Sequence, residues 1–283
     1  MPIILGCNAD IYSEFSRAIP GAVGCRSHLD PVIHEPGEVP ATLPGAPGSR
    51  VVASLRPYPD ALLSGSLDRA LLAMLRSAAV RFTAPQVTVW PEAGHRYQDL
   101  PYITPAVVRL MHVKMQSLCK QVSGVEYGCI VVGEIAMMDK WIPYAPDVLD
   151  WYGIDVHGNA PFDFHAYDLL KAYLDGYRTL AQHRTGLLYP RINVCATSTR
   201  DEALRPGWFK NVARWLHHHG GSRMLVAYDV DDNDDDHEVA GAPWSSIDAD
   251  TIGALHQIAA SYVHPQSAAE RRRASFWDGH RLS

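Results

Sequence analysis

Glu92 lies in the segment Val89-Trp90-Pro91-Glu92-Ala93-Gly94-His95, just past an apolar run and beside a tryptophan. A carboxyl group partly desolvated by an aromatic wall has a raised pKa, which suits it to general-acid work. The competing role is a surface glutamate that pairs with Arg96 or caps a turn. Three further carboxylates follow apolar runs and could act as the matching base: Glu134 after Gly133, Asp155 in Gly153-Ile154-Asp155-Val156-His157, and Asp229 after Tyr228. Asp155 serves equally well as a structural group that holds a neighbouring loop through backbone N–H bonds. His95 and His157 can orient a hydroxyl or share a proton, because imidazole titrates near neutral pH. Arg56 can bind a carboxylate or phosphate through its two-pronged guanidinium, or simply neutralise Glu92. Asn8, Thr197 and Tyr228 add hydrogen-bonding groups at the ends of other runs. Trp90, Trp141 and Trp244 offer large apolar faces with a polar handle, as stacking against a sugar ring requires. Trp151 fits core packing at a strand start better.

Several other clusters invite chemistry and fit it less well. The five cysteines, Cys7, Cys25, Cys119, Cys129 and Cys195, show no C-x-x-C spacing. A reactive thiol needs an adjoining base or cation, so Cys195 and Cys7 are expected as buried small hydrophobes. Asp229 to Glu238 holds seven carboxylates in ten residues. Asp231, Asn233 and Asp235 alternate as in a calcium loop, but Asp236 stands where that loop needs glycine and no glutamate stands at position twelve. A solvated acidic loop that gives the site a negative field is expected. Consecutive residues of His217-His218-His219 point in different directions, so no metal site and no cofactor is expected.

These groups must be positioned by the elements between them. Eight short apolar runs recur: Ile3–Asn8, Val23–Leu29, Arg50–Leu55, Gln86–Trp90, Tyr127–Ile135, Trp151–Val156, Arg191–Ala196 and Arg223–Val230. Between them lie stretches of helical period. Leu67, Leu71, Leu72 and Leu75 share a face after Ser66, an expected N-cap. Thr104-Pro105 opens the next, with the stripe Val107, Met111, Met115, Leu118 and Val122. A further stripe is Leu170, Tyr173, Leu174, Tyr177 and Leu180. Pro206 opens a helix with Trp208, Val212, Trp215 and Leu216 inward, and Asp248 caps one with Ile252, Leu255 and Ala259 inward. Glu35–Gly48 lacks helical period, and Met138–Asp150 is too short for a crossover helix. Near-continuous apolar strands that alternate with amphipathic helices mean a parallel sheet buried on both faces. Eight of them in about 260 residues fit an α/β fold of the (β/α)8 TIM-barrel type. A doubly wound sheet would show a Gly-rich phosphate turn, and neither G-x-G-x-x-G nor G-x-x-x-x-G-K occurs. The expected organisation is one barrel domain, 1–263, with a polar, flexible tail, 264–283. In such barrels reactive groups come from the C-terminal strand ends and the loops that follow, where Asn8, Arg56, Glu92, His95, Glu134, Asp155, His157, Thr197, Tyr228 and Asp229 are expected, with Trp141 and Trp244 in loops.

Composition narrows the partners. The 283 residues are 47% hydrophobic and carry a net charge of −6. A mildly acidic chain whose one basic cluster is Arg271–Arg273 is a poor match for nucleic acid, which needs a concentrated basic face. No apolar run approaches the roughly 20 residues that span a bilayer. The segment Met1–Gly6 has no basic n-region, so no signal peptide is expected, and the odd cysteine count fits the reducing cytoplasm.

The segment V-W-P-E-A-G-H resembles the acid/base strand of clan-A glycoside hydrolases, above all the mannanase-like families with W-H-E-x-x-G. Trp141–His157, W-I-P-Y-A-P-D-V-L-D-W-Y-G-I-D-V-H, looks like their segment leading into strand six, and R-P-G-W-F-K-N-V-A-R-W-L like the helix after strand seven. The similarity spans roughly Val51 to Tyr262, and it implies a carbohydrate-active barrel with Glu92 as general acid/base. Those families place a nucleophilic glutamate at the end of strand seven. Here that stretch is Asn193-Val194-Cys195-Ala196-Thr197-Ser198-Thr199, without a carboxylate. A retaining mechanism needs two carboxyl groups about 5 Å apart, whereas an inverting one places its base roughly 6.5–9.5 Å away. The expected function is therefore hydrolysis of a small glycoside or sugar-containing metabolite with an atypical second group. The alternatives are a biosynthetic barrel that rearranges, cyclises or eliminates, and an inactive sugar-binding barrel.

Overall fold

A computed structural model describes residues 4–8, 12–19, 24–91, 93, 97, 99–132, 144, 149–158, 192–199, 205–218, 224–227 and 249–262. Eight strands form the frame: β1 (Ile4–Asn8), β2 (Gly24–Ile33), β3 (Arg50–Pro57), β4 (Gln86–Val89), β5 (Glu126–Val132), β6 (Trp151–Gly158), β7 (Ile192–Thr199) and β8 (Met224–Ala227). Every neighbouring pair is parallel, and β1 returns to β8 with Ile4, Leu5 and Gly6 opposite Met224, Leu225 and Val226. The sheet is thus a closed eight-stranded barrel in sequence order, the expected architecture. Each of the eight apolar runs supplies one strand. The second extends to Ile33, past an irregularity in its register with β3 between Leu29 and Ile33.

The helices among the described residues are α1 (Tyr12–Ala18), α2 (Pro59–Leu63), α3 (Asp68–Arg81), α4 (Pro105–Cys119), α5 (Arg205–His218) and α6 (Ala249–Tyr262). Alternation along the strands divides their residues into two sets. Val51, Ala53 and Leu55 of β3 and Val87 and Val89 of β4 pack with Leu62, Leu71, Met74, Leu75 and Ala78 in one buried cluster. The alternate residues, Val52, Ser54 and Thr88, are equally buried and fall in the set that faces the barrel lumen.

Local chemistry sets the helix ends. Thr104 caps α4 as expected, its hydroxyl accepting from the Val107 N–H at 3.4 Å, with Pro105 at the first position. Ser66 does not cap α3. Leu67 occupies the cap position in a helical backbone conformation and makes no side-chain cap bond. The chain enters α3 directly from the turn at Gly65 (φ +84), and the Ser66 hydroxyl donates back to the Ala61 carbonyl at 2.9 Å. The stretch after β2 carries a 3-10 turn at Pro36–Glu38, where the Glu38 carboxylate accepts from the backbone N–H groups of His34 and Glu35. In α4 the buried face is Val108, Met111, His112, Met115, Leu118 and Cys119, so Val108 replaces Val107. In α6 it is Thr251, Ala254, Leu255 and Ile258, with Ile252 and Ala259 only half-buried. Trp208, Val212 and Leu216 of α5 are buried as expected. The 170–180 stripe, Asp248, the 264–283 tail and most of 138–150 lie outside the described residues.

Two contacts fix the lower half of the barrel around β5. Gly128 lies opposite Trp151 of β6, and a Cβ on Gly128 would fall 2.1 Å from Cδ2 of that indole. Only glycine leaves room for the ring, which is 2% exposed. On the helix side, the Tyr127 hydroxyl and Nδ1 of His112 on α4 form a buried hydrogen bond. Burial pushes His112 down to about 3 and Tyr127 well above its ordinary value, so a neutral phenol and a neutral imidazole share this hydrogen bond.

Gly128→Ala is expected to destabilise the fold by about 1–3 kcal/mol through overpacking, with recovery in the Gly128→Ala/Trp151→Leu double variant, read by thermal unfolding. His112 titrates near 6.5 when unfolded and at about 3 when folded, so above pH 6.5 it contributes nothing to pH dependence. Below pH 6.5 only the unfolded chain takes up the proton. Stability then falls toward pH 3 by up to about 1.4 kcal/mol per unit, and His112→Gln should flatten that limb in melts run across pH.

Candidate functional site

The strand ends form one rim, since all eight strands run the same way around a closed barrel. Asn8 ends β1 in register with Arg26 of β2. Arg56 is the penultimate residue of β3 and Trp90 follows the last residue of β4. Asp155 and His157 belong to β6: Asp155 is in register with Val132, the last residue of β5, and with Ala196 of β7, while His157 is opposite Ser198. Thr197 of β7 is in register with Val156 and Ala227. Glu92, His95, Glu134, Trp141, Tyr228, Asp229 and Trp244 lie outside the described residues, as does the acidic run 229–238.

The described part of the rim is tightest at Trp90. Its φ of +44 is left-handed, a conformation that bulky side chains rarely adopt and that costs on the order of 1–3 kcal/mol. Two hydrogen bonds hold it there. The backbone N–H donates to the Leu55 carbonyl at 2.9 Å, and the indole Nε1–H donates to the Pro57 carbonyl at 2.8 Å, both on β3. The indole is 1% exposed and is met edge-on by Tyr97 at 4.9 Å and Tyr102 at 6.2 Å between ring centroids. This corrects the expectation for Trp90. The indole is buried and tied to β3, so it braces the turn after β4 instead of offering a stacking surface.

The aromatic contacts continue on both sides. The Arg56 guanidinium lies over the Tyr97 ring, 5.0 Å from its centroid. Tyr102 packs against Tyr58, directly after β3, at 5.2 Å, and Tyr58 stacks on His34 beyond β2 at 4.8 Å. A run of rings thus links the ends of β2, β3 and β4, with a cation at one end. Tyr58, Tyr97 and Tyr102 were not among the residues singled out by sequence. Their signal was position, since each falls in a loop at the C-terminal end of a strand. One level below the rim, Ser54 of β3 and Thr88 of β4 are in register with each other, and each has a buried hydroxyl without a hydrogen-bond partner.

Cys7 is buried, the role expected of it, while the side chain of Cys195 lies outside the described residues. Cys7, Cys25, Cys119 and Cys129 are buried and in no disulfide. Burial pushes Cys25 up to about 11 and Cys119 and Cys129 up to about 12, too high for a thiolate nucleophile at neutral pH. Among the described residues no three His, Cys, Asp or Glu side chains are grouped to hold a metal ion, and no helix is long and apolar enough to cross a membrane.

No protein-family model and no curated protein matches the chain. Solved structures do. A GH26 β-mannanase from Bacteroides ovatus superposes with a TM-score of 0.56 at 12% identity, covering 92% of this chain and 89% of the mannanase. The endo-β-1,4-mannanase from Thermotoga petrophila superposes with a TM-score of 0.55 at 8% identity, covering 94% of this chain and 78% of that one. At such identities the likeness is one of fold alone, the (β/α)8 barrel.

Trp90→Phe keeps one aromatic ring but removes the N–H and the pyrrole half of the indole, so the bond to the Pro57 carbonyl is lost and a small void is left. It is expected to lower stability by about 1–3 kcal/mol in denaturant unfolding. The same loss should not appear in Tyr58→Phe, because no hydrogen bond of that hydroxyl supports the turn.

Proposed function

We propose that the protein is a glycoside hydrolase-like enzyme acting on a small glycoside or sugar-containing metabolite, with Glu92 as general acid. The observation that carries this reading is the pinned, left-handed Trp90 at the end of β4, two residues before Glu92. A barrel gathers its chemistry at this rim, and backbone strain held by two hydrogen bonds is a feature that active sites retain. The fold likeness to two mannanases supports a carbohydrate as the ligand class.

In this mechanism Glu92 protonates the glycosidic oxygen as the bond to the leaving group breaks. A second carboxylate takes a proton from the water that attacks the opposite face of the sugar. Asp155, Glu134 and Asp229 are the proposed bases: Asp155 belongs to β6, and Glu134 and Asp229 follow β5 and β8 in sequence, and a separation of roughly 6.5–9.5 Å would make the enzyme inverting. Arg56, Asn8, His95, His157, Thr197 and Tyr228 would bind the sugar hydroxyls, and Trp141 and Trp244 would supply the stacking faces.

One observation favours a second reading. Strand β7, Ile192–Thr199, contains no carboxylate, whereas retaining enzymes of the mannanase-like kind carry their nucleophile there. A barrel of this composition could rearrange or eliminate with Glu92 as a proton shuttle, or bind a sugar without turning it over. Glu92→Gln is expected to cut turnover of an alkyl glycoside or disaccharide, whose alkoxide leaving group needs the proton, by roughly 10²–10⁴-fold with KM little changed. Unchanged turnover would remove the acid role, and product analysis of the wild type would divide hydrolysis from rearrangement.

A further inference from the structure

We propose that Ser54 and Thr88 form a polar floor to the ligand site on its β3–β4 side, where they hydrogen-bond the hydroxyls of a neutral sugar. This deepens the glycoside reading above and rests on it. Both residues are closed off from water, at 2% and 0% exposure, and neither hydroxyl has a hydrogen-bond partner. Buried polar groups are almost always paired, and an orphaned hydroxyl costs free energy that alanine or valine would not.

Their placement gives the cost a purpose. The flanking residues Ala53, Leu55, Val87 and Val89 pack among the helices, which leaves Ser54 and Thr88 in the lumen-facing set. They are direct register partners on adjacent strands, about 4.8 Å apart, a gap that one sugar ring spans. Each sits two residues below a rim residue, Arg56 above Ser54 and the strained Trp90 above Thr88. Ser27 also has an unpaired hydroxyl, but it is in register with Ala53, in the helix-facing set. A hydroxyl both donates and accepts, as a sugar hydroxyl does, and brings no charge, so the floor selects a neutral polyhydroxylated group. Binding there requires the side chains above to shift, and the strained turn at Trp90 lies directly over Thr88's end of the floor.

The test compares melting of the full chain as wild type, Ser54→Ala and Thr88→Val, alone and with methyl β-mannoside, methyl β-glucoside or mannobiose at high concentration. Without sugar, each variant should melt about 2–4 °C higher than wild type, because an unpaired hydroxyl has been removed. At least one sugar should raise the wild-type melting temperature, and that rise should be lost in both variants. The proposal is overturned if either variant melts no higher than wild type, if both keep the sugar-induced rise, or if none of the three sugars shifts the wild type. Glu92→Gln, run alongside, should keep the rise. A failed acid role would therefore show in turnover alone, and a failed floor in melting alone.

Discussion

Closure of the sheet is the constraint on which everything else depends. The pairing of Ile4–Gly6 with Met224–Val226 leaves no strand edge open and brings residues from opposite ends of the chain into one wall. Because every strand is parallel, the wall has a top and a bottom, and groups separated by up to two hundred residues in sequence share a single rim. Asn8, Arg56 and Asp155 belong to three strands and Trp90 follows a fourth, and they share one end of the barrel because all the strands run the same way.

Within the wall, two-residue alternation divides the labour. One set of side chains builds the layer beneath the helices, dense with leucine, valine and methionine. The other fills the lumen, where polar residues are tolerated only at some cost. The rim between β2 and β4 is stiffened by side chains more than by backbone. Rings from His34 through Tyr58 and Tyr102 to Trp90 and Tyr97 lean on one another, and Arg56 closes the row. This packing holds a left-handed tryptophan in place, and the residues that follow it inherit their position.

The strands were legible because a parallel strand covered on both faces must be apolar almost throughout. Runs such as R-V-V-A-S-L and Q-V-T-V-W stand out against helical stretches for that reason. The order of the barrel followed from the count and from the missing phosphate turn. Helix faces were legible to within a residue, since the 3.6 period tolerates a small rotation about the helix axis. The start of α3 was misread because Ser66 has the right chemistry for a cap, while the tight turn at Gly65 makes a cap unnecessary. The positive φ of Trp90 has no signature in composition, and the row of tyrosines depends on loop paths that periodicity does not report. The pairing of Ser54 with Thr88 was in principle readable by parity. Each is a hydroxyl-bearing residue at a lumen position between two apolar neighbours in its strand.

Trp151 has a consequence for traffic. Its indole lies across Gly128 near the base of the barrel, where the ring has no room to spare. Among the described residues, the foot of the barrel beside β5 and β6 is therefore stoppered by the indole, and a ligand has no way in past it.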